Sequence, residues 1–429
     1  MQQPPCPLID LAELPGESPY YIRSLTEMGE EREVVAHEHV FAANGMKLIA
    51  KGARINRSQC ERLNIHKLRV PLDRVLATEN PVNGAQLANE ASKMLAADMA
   101  MARLAQRTGD PLGFRQGLAA LALPRPLAFR LTVMREKRSG LFHHSLRSAL
   151  ITHSVASRLG LSNRDKQDLL LAALCHDIGE MHTDPALLAP GHHVTPEQRR
   201  FIHVHPITSY VVLRDLPGVS SHAMQAVLHH HERLDGSGYP YGLRAGQIHP
   251  LAGLLCVAEV TEALVRRSEM QRLDVLLRLN QRRFEPAVVG ALRQLLRTDP
   301  NASNASQDTP SDHDATVQLT RVAEVLGSWP ALCDRLDVQA VPPELAFLKE
   351  RMAMLRSSVL QSGINPDDLE VLLEIAREDS IVLNELRATL DELDWLMADI
   401  ANEIERRTAA LDVQSRSAVE ELVVLLRAA

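Results

Sequence analysis

A mainly α-helical protein of several domains is what this sequence predicts, on three observations. Its 429 residues exceed one ordinary hydrophobic core, which makes two or three domains the natural division. Aromatic residues make up only 3% of the chain while Leu and Ala abound, a balance that favours helices over sheet. Apolar residues also recur at helical spacing over long stretches, and strand signals are confined to an early segment.

Bulk properties narrow the function classes. A net charge of -7 argues against generic nucleic-acid or membrane-surface binding. No apolar run approaches the roughly 20 residues that cross a bilayer, and Met1–Pro7 lacks the basic flank and apolar segment of a signal peptide. Cys6, Cys60, Cys175, Cys256 and Cys333 are scattered without CxxC spacing, which reads as reduced thiols in the cytoplasm.

In chain order, residues 1–18 carry Pro4, Pro5, Pro7 and Pro15 and read as a flexible lead-in. Residues 19–125 read as a small mixed α/β domain with a connecting helix. Its short strands are expected at Val34–Val35, Val40–Phe41, Met46–Ile49 around the Asn44-Gly45 turn, Ala53–Ile55 and Lys67–Val75. The connecting helix is marked by Leu87, Ala91, Leu95, Met99 and Leu104. Residues 126–298 read as all-helical, with helices expected at Leu141–Leu159, Asn163–Ile178, Pro196–Arg214, Ser220–His231, Pro250–Arg267 and Glu285–Leu296. Residues 299–318, rich in Asn, Ser, Asp and Thr, read as a flexible linker, and residues 319–429 as a helical C-terminal region. There Leu386, Leu390, Leu393, Met397, Ile400 and Ile404 form a heptad-like stripe, suited either to packing in its own bundle or to a homodimer seam.

Chemistry concentrates in the central domain, where 14 of the 18 histidines lie between His143 and His249. Their pattern runs His144, His176-Asp177, His205, His230-His231, and then a carboxylate, Glu259. Adjacent residues on a helix project about 100° apart, so an Asp beside a His can bridge two cations while the imidazole commits to one. After His231 comes Asp235-Gly236-Ser237-Gly238-Tyr239-Pro240, whose glycines admit positive φ and close approach of backbone N–H groups to phosphate.

This order and loop resemble the HD-GYP family of metal-dependent phosphohydrolases over about Leu141 to Leu295. The resemblance implies an all-helical catalytic module with His144, His176, Asp177, His205, His230, His231 and Glu259 as metal ligands, Asp177 and His176 being catalytic. It places Gly238, Tyr239, Pro240 and Glu180 against substrate. His144 is preferred to its neighbour His143 on the family's spacing. The implied cofactors are two divalent ions, iron or manganese by the nitrogen and oxygen mixture, with zinc or nickel as alternatives. About 3.5 to 4 Å apart, such ions can hold a bridging hydroxide for in-line displacement. The implied substrate is cyclic di-GMP, in bacterial second-messenger signalling with signalling proteins as partners.

The chain departs from the family's pattern in four places. His176-Asp177-Ile178-Gly179-Glu180 carries Glu where the family writes Lys, so Glu180 is expected to repel phosphate unless it binds metal or pairs with an Arg. The last ligand is Glu259 rather than Asp. Gly140 stands where some members place a third-metal Glu, so two metals are expected. Ser268-Glu269-Met270 replaces a basic segment, for which Arg266 and Arg267 are substitutes. These departures keep two other functions in view: a catalytically weak or inactive signalling or scaffold protein that binds a cyclic dinucleotide or partner, and a phosphohydrolase of another nucleotide.

Overall fold

A computed structural model describes residues 17–189, 191–192, 194–267, 270–296, 312–335, 345–364, 380–408 and 413–427. The chain divides into two compact units, Met1–Ala263 with Arg282–Arg297 and Leu264–Gln281 with Thr298–Ala429. Residues 264–281, read from sequence with the histidine-rich domain, thus group with the C-terminal unit. The early mixed elements fall in the same unit as the histidine-rich helices. The expected lead-in over residues 1–18 lies almost wholly outside the described residues.

The first unit opens on α1 (Pro19–Glu31), a helix the sequence reading missed. Ser18 caps it, its Oγ accepting the Tyr21 N–H at 3.3 Å, and Pro19 takes the first position, where an absent N–H costs nothing. Strands β1 (Val34–Ala36), β2 (Val40–Phe41), β3 (Lys47–Ile49) and β4 (Leu76–Thr78) form two antiparallel ribbons, β1 with β4 and β2 with β3. Gly45, at φ 86°, makes the expected turn between β2 and β3. The strand expected over Lys67–Val75 is replaced. Leu68 makes only an isolated bridge to Ala42, and after α2 (Cys60–Ile65) the chain enters the single turn α3 (Leu72–Val75) at Pro71, which has no N–H for a ladder.

Helices then follow one another: α4 (Gly84–Ala97), α5 (Met99–Gln106), α6 (Gly113–Ala119), α7 (Arg125–Lys137), α8 (Ser139–Arg158) and α9 (Asn163–Cys175). Next come α10 (Pro196–His203), α11 (His205–Arg214), α12 (Ser221–His229) and α13 (Pro250–Arg266). The single helix expected over Pro196–Arg214 is two, because Pro206 lacks the N–H that would carry the ladder through it. Leu146, Leu150, Leu170, Leu174, Val227 and Leu255 are buried in the core that these helices share.

The second unit holds α14 (Met270–Leu279), while α15 (Pro286–Leu296) returns to the first. It continues through α16 (Asp312–Arg335), α17 (Phe347–Gln361), α18 (Ser380–Thr408) and α19 (Val413–Arg427). Because α16 begins at Asp312, the last seven residues of the expected linker are helical; residues 299–311 lie outside the described residues. Leu386, Leu390, Leu393, Met397, Ile400 and Ile404 are all buried in this unit's own core with Val322, Leu348 and Leu422. The heptad-like stripe is therefore spent inside the unit and is not offered to a second copy. Among the described residues no helix is long and apolar enough to cross a membrane.

Candidate metal centre

Five elements deliver the donors, and in each the local sequence explains the delivery. The run Leu169–Cys175 is buried throughout and ends α9 with His176 as its C-cap. A turn of 3-10 helix, Ile178–His182, starts immediately after Asp177. Gly179 permits this. A Cβ there would lie 2.4 Å from the His205 carbonyl oxygen and 2.8 Å from Ser209 Oγ, so only glycine lets α11 come this close. Ser209 completes the clamp, donating to the His176 carbonyl at 2.6 Å and accepting the Gly179 N–H at 2.8 Å. His205 starts α11, His230 caps the end of α12, His144 lies in the second turn of α8, and Glu259 in α13.

The loop after His231 is held by its own carboxylates. Glu232, 2% exposed, accepts the N–H groups of Tyr241 at 2.7 Å and Leu243 at 2.8 Å. Asp235 accepts from Ser237 N at 2.9 Å and Ser237 Oγ at 2.6 Å, with Arg283 at 3.4 Å from its other oxygen. A Cβ on Gly238 would fall 2.4 Å from the Glu232 Cα, so this glycine serves close backbone approach. Tyr239 stacks on two imidazoles, His203 at 4.0 Å and His231 at 4.6 Å between ring centroids. Tyr239 thus forms the wall that orients His231.

All seven donors expected from sequence are brought together in two groups: His144, His176, Asp177 and Glu259, and Asp177, His205, His230 and His231. Within each group the donor atoms lie within 4.8 Å of one another. Asp177 belongs to both. Its Oδ2 lies 3.4 Å from His144 Nε2 and 3.2 Å from His176 Nε2, and its Oδ1 lies 3.1 Å from His205 Nε2 and 3.5 Å from His230 Nε2. Glu259, despite its extra methylene, reaches 3.0 Å from His144 Nε2 and 2.9 Å from His176 Nε2.

The hydrogen bonds of the imidazoles decide what the cluster fits. Nδ1 of His176, His205 and His230 lies 2.8, 2.8 and 2.6 Å from the carbonyl oxygens of Ala173, Ile202 and Val227. A carbonyl only accepts, so each Nδ1 donates there, which leaves Nε2 as the ring atom turned toward Asp177. His144 Nδ1 likewise faces Glu262 Oε2 at 2.8 Å, and Arg147 holds Glu262 from the other side at 2.5 Å. The consequence is crowding of like atoms: Nε2 of His144 and His176 are 3.2 Å apart, as are Nε2 of His205 and His230. Asp177 Oδ1 is buried with no hydrogen bond. In their neutral, metal-binding form these Nε2 atoms would present lone pairs to one another and to Asp177, an arrangement that a bound cation would stabilise, so the donor chemistry fits metal binding.

The protein groups alone compensate only partly. Burial works against the imidazolium of His176, yet Asp177 and Glu259 push it up to about 10. Burial brings His230 down to about 4. Burial also opposes the carboxylates of Asp177 and Glu259, but the neighbouring histidines hold both well below the usual range. Glu180 stands outside both donor groups; burial, with Asp177 adding to it, pushes its carboxyl up to about 7.

Among the other histidines, His143 bonds the Ser139 carbonyl at 2.8 Å, and His153 packs against Phe114. A third group of donors, Asp165, Asp168 and His222, lies at the starts of α9 and α12. Its carboxylates accept from the capping serines Ser162 and Ser220, both at 2.7 Å. Glu262 and Arg147 escaped the sequence reading, although Glu262 follows Glu259 by three residues on one helix face, which is a readable signal. Ser268 and Glu269 lie outside the described residues.

Residues 130–288 match the HD domain family. A cyclic di-GMP phosphodiesterase of Pseudomonas aeruginosa is 36% identical over 150 residues, 34% of this chain and 36% of that protein. A 3'3'-cGAMP-specific phosphodiesterase of Vibrio cholerae is 31% identical over 153 residues, 36% of this chain and 35% of that protein. A cyclic di-GMP phosphodiesterase of Thermotoga maritima is 30% identical over 194 residues, 43% of this chain and 52% of that protein. The chain thus spans 35 to 52% of the length of these relatives.

Proposed function

We propose, from the premise that residues 130–288 are an HD domain, that this chain is a metal-dependent phosphodiesterase cutting cyclic di-GMP in bacterial second-messenger signalling. The observation that carries this reading is Asp177, whose two oxygens face two separate sets of imidazoles. His144, His176, Glu259 and Asp177 would hold one ion, and Asp177, His205, His230 and His231 the other. When bound, two divalent ions, iron or manganese by the donor mixture, supply an activated water and neutralise charge on the phosphodiester.

The chain's own groups prepare the place. Backbone carbonyls fix three imidazoles with Nε2 inward, Glu262 does the same for His144, and Tyr239 stacks on His231. Ser209 ties the end of α9 to α11, so His176, Asp177 and His205 move as one. The Pseudomonas and Thermotoga relatives, named for cyclic di-GMP, support the substrate.

Protein purified without oxygen and loaded with Mn or Fe is expected to convert cyclic di-GMP to the linear dinucleotide, and His176→Ala to lose this. Absence of linear product, beside a relative active in the same tube, would overturn the reading. The Vibrio relative named for 3'3'-cGAMP motivates a second reading, another cyclic dinucleotide as substrate. A panel of cyclic dinucleotides separates the two by kcat/KM. The substitutions Glu180 and Glu259 motivate a third, binding without cutting, which calorimetry beside the assay would reveal.

A further inference from the structure

Five imidazoles belong to the two donor groups, and four of them are fixed by a hydrogen bond at Nδ1: His144 by Glu262, and His176, His205 and His230 by backbone carbonyls. His231 is the exception. Among the described residues neither of its ring nitrogens has a hydrogen bond. The bond at the second nitrogen of a ligating histidine normally sets its tautomer and its ring rotation, so the orientation of His231 has to come from elsewhere. Two of the rings that touch it are donors of its own group, His205 at 4.9 Å and His230 at 4.1 Å between centroids, and they cannot hold it independently of the site. The third is Tyr239, at 4.6 Å and 23° between planes. His203 stacks on Tyr239 at 4.0 Å and 15°. Two flat rings this close to a third have room only on its opposite faces, so Tyr239 is clamped between His203 and His231. His203 itself is the last residue of α10, a helix whose start is locked by the Thr195 and Gln198 capping pair, and two residues later His205 opens α11.

We propose that His203 is a positioning residue: it clamps Tyr239 from outside and, through that stack, sets the ring of His231 for the ion that Asp177, His205, His230 and His231 would hold. The stack does for His231 what a hydrogen bond does for each of the other four imidazoles. Without its outer ring Tyr239 loses one of its two packed faces, and His231 loses the rigidity of the only non-ligand ring among the described residues that stacks on it. The column contains none of the donors His144, His176 and Glu259, so the two ions should respond differently to its loss.

The inference rests on the reading of the chain as a two-ion phosphodiesterase, and its test separates the two because it reads metal rather than cutting. The chelator-stripped full chain and its variants are titrated with MnCl2, free Mn being followed by electron paramagnetic resonance. The parent chain is expected to bind two ions. His203→Ala should weaken one of them about 10-fold and leave the other within about twofold, since a lost support behind a ligand acts on the ion that ligand holds. His203→Phe keeps a flat ring on Tyr239 and should bind both ions within about twofold of the parent chain. His203→Leu fills the place without a stacking face, should behave as His203→Ala, and replaces it where the smaller side chain does not fold. Both ions weakened alike, neither weakened, or equal losses in His203→Phe and His203→Leu overturn the role of His203 and leave the two-ion centre standing. A parent chain that binds at most one Mn overturns the two-ion centre and the role together. A parent chain that binds two ions yet makes no linear product overturns the activity alone, and the variants decide for His203 on Mn binding.

Discussion

The first unit contains two buried polar clusters, centred on Arg130 and on Asp177, whose nearest members in sequence are His182 and Asp177, and they are built differently. Around Arg130 every contact joins a donor to an acceptor. Its Nε meets Asp73 Oδ2 at 2.9 Å, its Nη2 meets Glu17 at 2.9 Å and Asp73 Oδ1 at 3.2 Å, and its Nη1 meets His182 Nε2 at 3.1 Å. Tyr21 packs under the guanidinium at 4.5 Å and stacks on His182. Around Asp177 like atoms are set against each other, Nε2 facing Nε2 twice, and Asp177 Oδ1 has no hydrogen bond. The first cluster pairs its cation with two carboxylates inside the protein, leaving only Glu17 Oε2 and the Tyr21 hydroxyl of its buried atoms without a hydrogen bond, and ties α1, α3 and α7 to the turn after Asp177. The second is complete only with something positive added. Burial of polar groups is therefore no sign of function in itself; the sign is which groups face which.

That contrast can be broken by mutation. Arg130→Met leaves two buried carboxylates without their cation and should cost about 3–5 kcal/mol in urea unfolding, with chelator present or absent. A loss below about 1 kcal/mol would place this network among the marginal ones. The Asp177 cluster should respond instead to metal. Mn at about 100 times its Kd is expected to add about 2.7 kcal/mol to wild-type stability, seen as a chelator-reversible rise in Tm. No rise would put both clusters under one rule.

The comparison also shows what could be read in advance. The seven donors were legible through the resemblance: their order and the Gly-Tyr-Pro loop match the HD-GYP pattern, which singles them out from the other histidines of the same segment. Neither complete cluster nor supporting contact was as plain. Arg130, Asp73 and Glu17 lie on separate segments of the chain, and the start of α1 at Ser18-Pro19, a local helix signal, was hidden by the four prolines before it. Pro206 should have divided Pro196–Arg214, since its missing N–H is a local fact. The Lys67–Val75 strand failed because β-like residues outweighed Pro71 in the reading. The stripe on α18 was correctly amphipathic, but whether it packs at home or on a second copy depends on helices elsewhere in the chain.

Smaller effects sharpen the contrast. Glu262→Gln keeps the shape beside His144 and removes the charge that fixes its ring, so metal affinity should fall about 10- to 100-fold, beyond whatever Tm is lost in chelator with the Arg147 ion pair. An unchanged affinity would show that the α8 and α13 backbones alone orient His144. The Arg130 cluster should be sensitive to acid. Burial and Arg130 bring His182 from 6.5 down to about 3. Below pH 6.5 the unfolded chain takes a proton there that the folded chain refuses, so the stability present above that pH is lost as pH falls toward about 3. The loss between pH 7 and 5 should be on the order of 1–2 kcal/mol and should shrink in His182→Phe. An unaltered acid slope would remove His182 from the account.

The most direct test of the shared carboxylate is metal content per chain, by mass spectrometry, in protein purified without oxygen. Wild type is expected to hold two ions and Asp177→Asn to lose both together, because each donor group contains Asp177. An Asp177→Asn protein that still carries two ions, or a wild type that takes up at most one, would contradict the two-ion centre.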